Sequence, residues 1–230
     1  MSLPLFTLGG RLQLCASMVR PGAALADIGT DHAYLPIWLA KKGLISRAVG
    51  ADIRPGPLQK AQDNILRYHV QNTVSARLSD GLHAVSPSDA DDIVIAGMGG
   101  EMIIRIIREA PWLKDAQKQL ILQPMTSAEP LRLFLAEQNF EVLREEAAEE
   151  DGRVYTVMLV RYSTEKVCVD ALYPHIGKLK ADTQAAEDYV RRRITNLEKR
   201  RKGLVLTGRQ EEAAALGGLT DRLKAMTERK

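Results

Sequence analysis

The residues best suited to chemistry are carboxylates placed where short apolar runs stop. Ala23-Ala24-Leu25-Ala26 leads into Asp27-Ile28-Gly29-Thr30-Asp31-His32-Ala33-Tyr34, and Arg47 to Ala51 leads into Asp52. Val74 to Leu78 is followed by Asp80-Gly81-Leu82, and Asp92 to Ala96 by Gly97-Met98-Gly99-Gly100. The first loop holds one glycine and two acids. Gly29 permits close backbone approach, and the helix start behind it offers free N–H groups. Asp27 and Asp31 would repel a pyrophosphate and attract an amine or a sulfonium; the plainer alternative is a tight turn capped by an aspartate. Asp52 stands 23 positions after Gly29, where a carboxylate can accept from both hydroxyls of a ribose. Asp80 can accept from an exocyclic amine such as that of adenine, with Ile53 and Leu82 as apolar walls, although alone it would read as a turn residue. Acids at three successive strand ends together describe an adenosyl ligand. Ala96, Gly97 and Met98 bring backbone close to that ligand or to a substrate, and Gln123-Pro124 offers polar contacts at the rim.

Such residues need a scaffold that brings strand ends together. Strand-like runs at 23–26, 47–52, 74–78, 92–96 and 119–123 alternate with helical patterns at 33–42, 57–69, 102–109 and 127–137. Short all-apolar strands alternating with helices predict a parallel sheet covered on both faces. Two further β-like stretches, 140–147 and 154–162, flank the turn-like Glu150-Asp151-Gly152-Arg153 with no room for a helix, so they must pair antiparallel. Ligands in such a sheet bind outside the carboxyl ends of the strands.

Beyond Pro174 the β signals stop. Val190, Ile194, Leu197 and Leu204, then Leu216, Leu219, Leu223 and Met226, form two apolar stripes at helical spacing joined near residues 203–210. They predict two antiparallel helices, folded on each other or gripping another chain. The expected division is a Rossmann-like α/β domain at residues 1–165 and a basic, coiled-coil-like helical domain at 166–230.

Composition narrows the classes further. The 230 residues are 45% hydrophobic and 27% charged, too apolar for wholesale disorder. No apolar run reaches the length of a membrane-spanning helix, and the sequence opens without a basic leader and apolar block. Cys15 and Cys168 lie far apart, which fits a reducing, cytoplasmic compartment with both thiols as buried packing residues. His69, His83 and His175 show no metal-ligand spacing and read as surface or helix residues. The net charge of +3 hides an asymmetry, since through Tyr173 there are 18 Lys and Arg against 21 Asp and Glu, and from Pro174 there are 14 against 8. Arg191-Arg192-Arg193 and Lys199-Arg200-Arg201-Lys202 can meet a polyanion, or simply form a solvated helix face.

Three of the motifs resemble the bacterial tRNA (adenine(22)-N1)-methyltransferase family, TrmK. They are Asp27-Ile28-Gly29-Thr30-Asp31-His32-Ala33-Tyr34-Leu35-Pro36, Ile95-Ala96-Gly97-Met98-Gly99-Gly100 and Leu120-Ile121-Leu122-Gln123-Pro124. The likeness extends through the Glu149-Glu150-Asp151-Gly152 turn and the helical tail. It implies a class I fold using S-adenosyl-L-methionine, without a metal, to methylate N1 of an adenine in the tRNA D-arm and release S-adenosyl-L-homocysteine. On this implication the cofactor residues are Asp27, Gly29, Asp31, His32, Asp52, Ile53, Asp80, Gly81, Leu82, Ala96, Gly97 and Met98. The sequence departs from the family at Met125, where Asn is common, and at Thr156 after Tyr155, where an acid is common; both changes are expected near the pocket rim.

Methyl transfer to a ring nitrogen needs alignment more than a base, and the product is cationic. Asp31 is expected to stabilise that charge and Asp27 to hold the methionine amine, although the two roles are interchangeable. The Watson–Crick edge must be exposed first, so an extruded base is expected to meet Tyr34 or His32, with Gln123 and Pro124 at the rim, although Tyr34 reads more readily as a packed helix-start aromatic. Arg191, Arg192, Arg193, Lys199 and Arg200 are expected to hold tRNA phosphates. No obligate protein partner is implied. Two rival readings stand beside this one: a nicotinamide-dependent Rossmann enzyme, opposed by the acidic single-glycine loop and the hairpin, and a non-catalytic RNA-binding protein with a vestigial pocket.

Overall fold

Runs that are apolar at every position form strands only where both faces are covered, and this sequence supplies several. The computed structural model describes residues 4–228. Its first elements are helix α1 (Gly10–Met18), β1 (Ala24–Ile28), α2 (Tyr34–Lys41), β2 (Arg47–Asp52), α3 (Pro55–Arg67) and β3 (Val74–Leu78). Then come β4 (Asp92–Gly99), α4 (Gly100–Arg108), β5 (Gln119–Thr126), α5 (Ala128–Glu137), and the hairpin β6 (Phe140–Glu150) and β7 (Arg153–Tyr162). A four-residue helix α6 (Tyr173–Ile176) precedes α7 (Gln184–Leu206) and α8 (Gln210–Thr227).

The strands form one sheet in the order β3-β2-β1-β4-β5-β7-β6. All pairings are parallel until β7, which inserts antiparallel between β5 and β6. This is the Rossmann-like arrangement expected for a class I methyltransferase, closed by the antiparallel hairpin. Alternate residues serve opposite faces: Leu25, Val94 and Ile121 pack with α1, α2 and α3, while Ala26, Ile28, Ile93, Ile95, Leu120 and Leu122 pack with α4 and α5. The hairpin turn is Asp151-Gly152, with φ of 52° and 69°. Both residues thus lie in the left-handed region that a two-residue hairpin favours.

The tail helices fold back on each other. Val190, Ile194, Leu197, Leu216 and Leu223 form their common core, with Leu204, Leu219 and Met226 packed at its edge. The tail is seated on the sheet's helical layer by a fully buried ion pair: Arg132 of α5 donates to Glu145 of β6 at 2.6 Å, to the Pro174 carbonyl at 2.8 Å and to the Tyr189 hydroxyl at 3.0 Å. Gly177, at φ 57°, passes so close that any Cβ would collide with Glu145.

One expectation here needs correction. Cys168 is exposed, because it lies in the irregular connection after β7, whereas Cys15 is buried and its thiol is pushed up to about 12 by burial, reinforced by Asp27. His175, expected at the surface or on a helix, lies on α6, buried beside Glu129 and Arg193. Residues 1–3 and 229–230, the ends of the two expected domains, lie outside the described residues. Among those described, no helix is long and apolar enough to cross a membrane.

Candidate functional site

The parallel strand order reverses between β1 and β4, and a cavity of about 530 Å³ opens at their carboxyl ends. That volume lies within the roughly 300–1,000 Å³ common for small-molecule sites. The loop after β1 is bent sharply, with Gly29 at φ 76°, Asp31 at 44° and Ala33 at 58°. Conformations of this kind are costly for residues with a Cβ and tend to occur where a ligand is clamped. A Cβ on Gly29 would collide with the Met98 methyl group, so the loop after β1 and the end of β4 close on each other there.

Asp27 lies beneath this loop, 6% exposed, and accepts from the Thr30 hydroxyl at 2.6 Å. Burial pushes its pKa up to about 6, against the hydrogen bond from Thr30 and with help from the negative charge of Asp52. A cationic ligand group is the natural complement of a buried acid in this state. Asp52, 5% exposed, accepts from the Arg54 N–H at 2.8 Å. Beside it Ile53 is 57% exposed, an apolar side chain turned to the cavity rather than to the core. Asp31 stands at the rim with its side chain 62% exposed, 3.5 Å from His32 Nε2. His32 stacks on Tyr34, with ring centroids 5.3 Å apart and planes at 19°, and Phe6 meets Tyr34 edge-on at 4.9 Å.

Of the residues expected to bind cofactor, Asp27, Gly29, Asp31, His32, Asp52, Ile53, Asp80, Gly81, Ala96, Gly97 and Met98 all line this one cavity. Leu82 does not: it is 5% exposed in the core beneath α4. Met102 and Ile106 of α4 line the cavity where Leu82 was expected. Asp80 is also less free than its position suggested. Arg105 of α4 grips it with two nitrogens, at 2.6 and 3.2 Å, and that hydrogen bonding holds the carboxyl below its usual range.

Tyr34 lines the cavity at 42% exposure, but Gln123 and Pro124 are buried in β5 and do not reach the rim. Gln123 instead accepts from the Gly97 N–H at 3.0 Å and from Arg11 at 2.7 Å. Met125 is exposed beside Arg11, whereas Thr156 is 2% exposed within β7 and does not line the cavity. On the tail, Arg191, Arg192, Lys199 and Arg200 are exposed. Arg193 turns inward, bonding Glu129 and the His175 ring, so it docks the helix. Reasoning from sequence missed Arg11 and Arg105, both of which line the cavity. The Gly9-Gly10-Arg11 triplet, a basic residue after two that admit close packing, was the available signal.

The donor set fits an adenosyl cofactor with a charged methionyl end: buried acids at the ends of β1 and β2, an exposed apolar wall at Ile53, and no phosphate cradle at the acidic first loop. Among the described residues no group of three or more His, Cys, Asp or Glu side chains is arranged to hold a metal.

Comparison with known proteins agrees with this chemistry. A family model described as a methyltransferase domain matches residues 8–158. The tRNA (adenine(22)-N(1))-methyltransferase of Bacillus subtilis is 33% identical over 180 residues, 78% of this chain and 76% of that protein. The crystal structure of the B. subtilis M1A22 tRNA methyltransferase TrmK superposes with a TM-score of 0.84 at 26% identity, covering 98% of this chain and 100% of that one. Streptococcus pneumoniae Sp1610, described as a candidate tRNA (m1A22) methyltransferase, was solved in complex with S-adenosyl-L-methionine. It superposes with a TM-score of 0.75 at 32% identity, covering 95% of this chain and 98% of that one.

Proposed function

The chain belongs to the tRNA (adenine(22)-N1)-methyltransferase family, and from that premise we propose how its residues transfer a methyl group from S-adenosyl-L-methionine to N1 of adenine 22 in tRNA. The observation that carries the proposal is the convergence of Asp27, Asp31, Asp52 and Asp80 on one cavity at the strand ends. The cofactor supplies an electrophilic methyl group on a sulfonium.

Asp27 holds the methionine amine, and Asp52 accepts from the ribose hydroxyls. Ile53 packs on the adenine face, and Asp80 accepts from its amine with lone pairs that Arg105 leaves available. Tyr34, stacked on His32 and buttressed by Phe6, receives the extruded target base. The exposed basic residues of α7 hold the tRNA backbone. Neutral adenine N1 carries its own lone pair, so no residue need remove a proton before attack. Transfer would form the N1–carbon bond as the carbon–sulfur bond breaks, leaving the neutral thioether of S-adenosyl-L-homocysteine and a cationic base that Asp31 at the rim would stabilise. A tRNA substrate supports reading this work as cytoplasmic.

The test is transfer from labelled S-adenosyl-L-methionine to unmodified tRNA, followed by digestion to nucleosides. N1-methyladenosine is expected, and a transcript with G at position 22 should take up no label. RNA binding with no transfer to several competent tRNAs would favour a non-catalytic RNA-binding protein instead. Asp31→Ala is expected to lower turnover by about 10²-fold, the usual scale for one electrostatic contact, with S-adenosyl-L-homocysteine affinity little changed. Equal turnover in that variant removes Asp31 from the mechanism.

A further inference from the structure

The end of β4 carries a backbone irregularity that the cofactor reading leaves unexplained. Pairing with β5 proceeds regularly to Ala96 opposite Gln123, then shifts, so that Met98 lies opposite Pro124 and Gly97 has no partner in the ladder. Gly97 sits at φ 76°, and its N–H is satisfied by a side chain: the fully buried Gln123 accepts it at 3.0 Å. The same Gln123 oxygen accepts from Arg11 Nη1 at 2.7 Å, and the Gln123 amide donates to the Pro124 carbonyl at 3.0 Å. Gln123 is thus committed on both ends.

Arg11 is itself held from the far side. Its Nε and Nη2 both lie 2.8 Å from Glu150 Oε1, its backbone N–H donates to Glu150 Oε2 at 3.0 Å, and its guanidinium lies over the Tyr155 ring. Glu150 therefore also caps the amino end of α1, where a carboxylate is favoured. Gly9 and Gly10 make the approach possible, since a Cβ on either would collide with Glu150 or the Glu149 carbonyl. One side chain thus ties the first helix, the hairpin turn and the β4 bulge together. With its fork already used by a carboxylate and an amide, Arg11 is poorly placed to bind a phosphate.

We infer that Arg11 is a positioning residue for methyl transfer, acting through Gln123 to fix the Gly97–Met98 backbone as the wall against which the target adenine is held. The inference rests on the methyltransferase reading above. Asp27, Asp52 and Asp80 occupy the β1–β2–β3 side of the cavity, which leaves the side lined by Arg11, Gly97 and Met98 for the acceptor. A reacting base displaced by about 1 Å is enough to cost about 10²-fold in rate.

The test uses full-length Arg11→Met, Arg11→Lys, Gln123→Met and the double variant Arg11→Met/Gln123→Met. It measures kcat and tRNA KM at saturating cofactor, with S-adenosyl-L-homocysteine affinity alongside. Arg11→Met is expected to lower kcat by about 10²-fold with tRNA KM and cofactor-product affinity little changed. Arg11→Lys should lose as much, because one ammonium cannot bridge Glu150 and Gln123 as the planar fork does; it carries the test if the Met variant does not fold. The double variant should be no slower than the worse single one, since both substitutions break the same strut. Wild-type kcat in the Arg11 variants overturns the inference, as does a loss confined to tRNA KM, a collapse of cofactor-product affinity, or multiplicative losses in the double variant. Absence of N1-methyladenosine with the wild-type protein would instead refute the reading on which it rests.

Discussion

Asp27 is the residue whose electrostatics are most directly testable. Burial raises it from 3.8 to about 6, so between those two pH values the folded, ligand-free protein keeps a proton there that the unfolded chain has already released. The sign follows from linkage: this group's contribution to stability is full below about pH 3.8 and is lost as pH rises through about 6. Binding of a ligand ammonium runs the other way, because it requires the ionised acid. Affinity for S-adenosyl-L-homocysteine is expected to be about tenfold weaker at pH 5 than above pH 7 if Asp27 alone governs it. Titration calorimetry at several pH values checks this, with Asp27→Asn expected to bind weakly and without that pH dependence. A wild-type affinity flat from pH 5 to 7.5 would show that Asp27 does not contact the charged end of the cofactor. The placement of Asp27 was legible in the sequence because a carboxylate ending an apolar run has few places to go. The pairing of Asp80 with Arg105 was not legible, since it depends on where the second turn of α4 lies over the strand ends.

Elements were legible to the degree that their residues report their own surroundings. The apolar runs of β1, β2, β4 and β5 and the hairpin of β6 and β7 could be placed because strand burial and turn chemistry are written locally. Helix α1 and Arg11 on it could not be, for α1 is only nine residues long and the partner that holds its Arg11, Glu150, lies 139 positions away. Leu82 was misplaced for a related reason: a residue after a strand can face the cavity or the core, and α4 decides which. The tail's attachment is a tertiary fact of the same kind. Arg132 and Glu145 are both fully buried and hydrogen-bonded, so removing one partner strands the other. Glu145→Gln is expected to cost about 3–5 kcal/mol, seen as a lowered midpoint in chemical denaturation. The paired Arg132→Met/Glu145→Leu variant should recover most of that loss, because well-packed apolar groups often replace a buried ion pair at no net cost. If the single substitution proves neutral, the tail is held by the apolar contacts of Ile176 and Leu179 instead.

At the scale of the whole molecule, an acidic cavity must serve an RNA whose backbone is repelled by it. On the proposed reading the two tasks are separate, since the acids lie at the strand ends and the excess of Lys and Arg in the segment from Pro174 onward. Removing that segment would be a poor test of RNA binding, since Ile176, Leu179 and the Arg132 anchor would be stripped with it. Neutralising only the exposed cations avoids this difficulty. A variant with Arg191, Arg192, Lys199 and Arg200 all changed to Gln keeps Arg193, which is engaged with Glu129, and so keeps the docked helix. If those four side chains each neutralise a phosphate, the slope of log affinity for tRNA against log salt should fall by roughly 0.7–0.9 per residue. Loss of all four should therefore flatten it by about 3, while S-adenosyl-L-homocysteine affinity stays at the wild-type value. Fluorescence anisotropy of labelled tRNA across a salt series measures the slope directly. An unchanged slope would assign the phosphate contacts to another face and leave the basic stripe of α7 as a solvated surface.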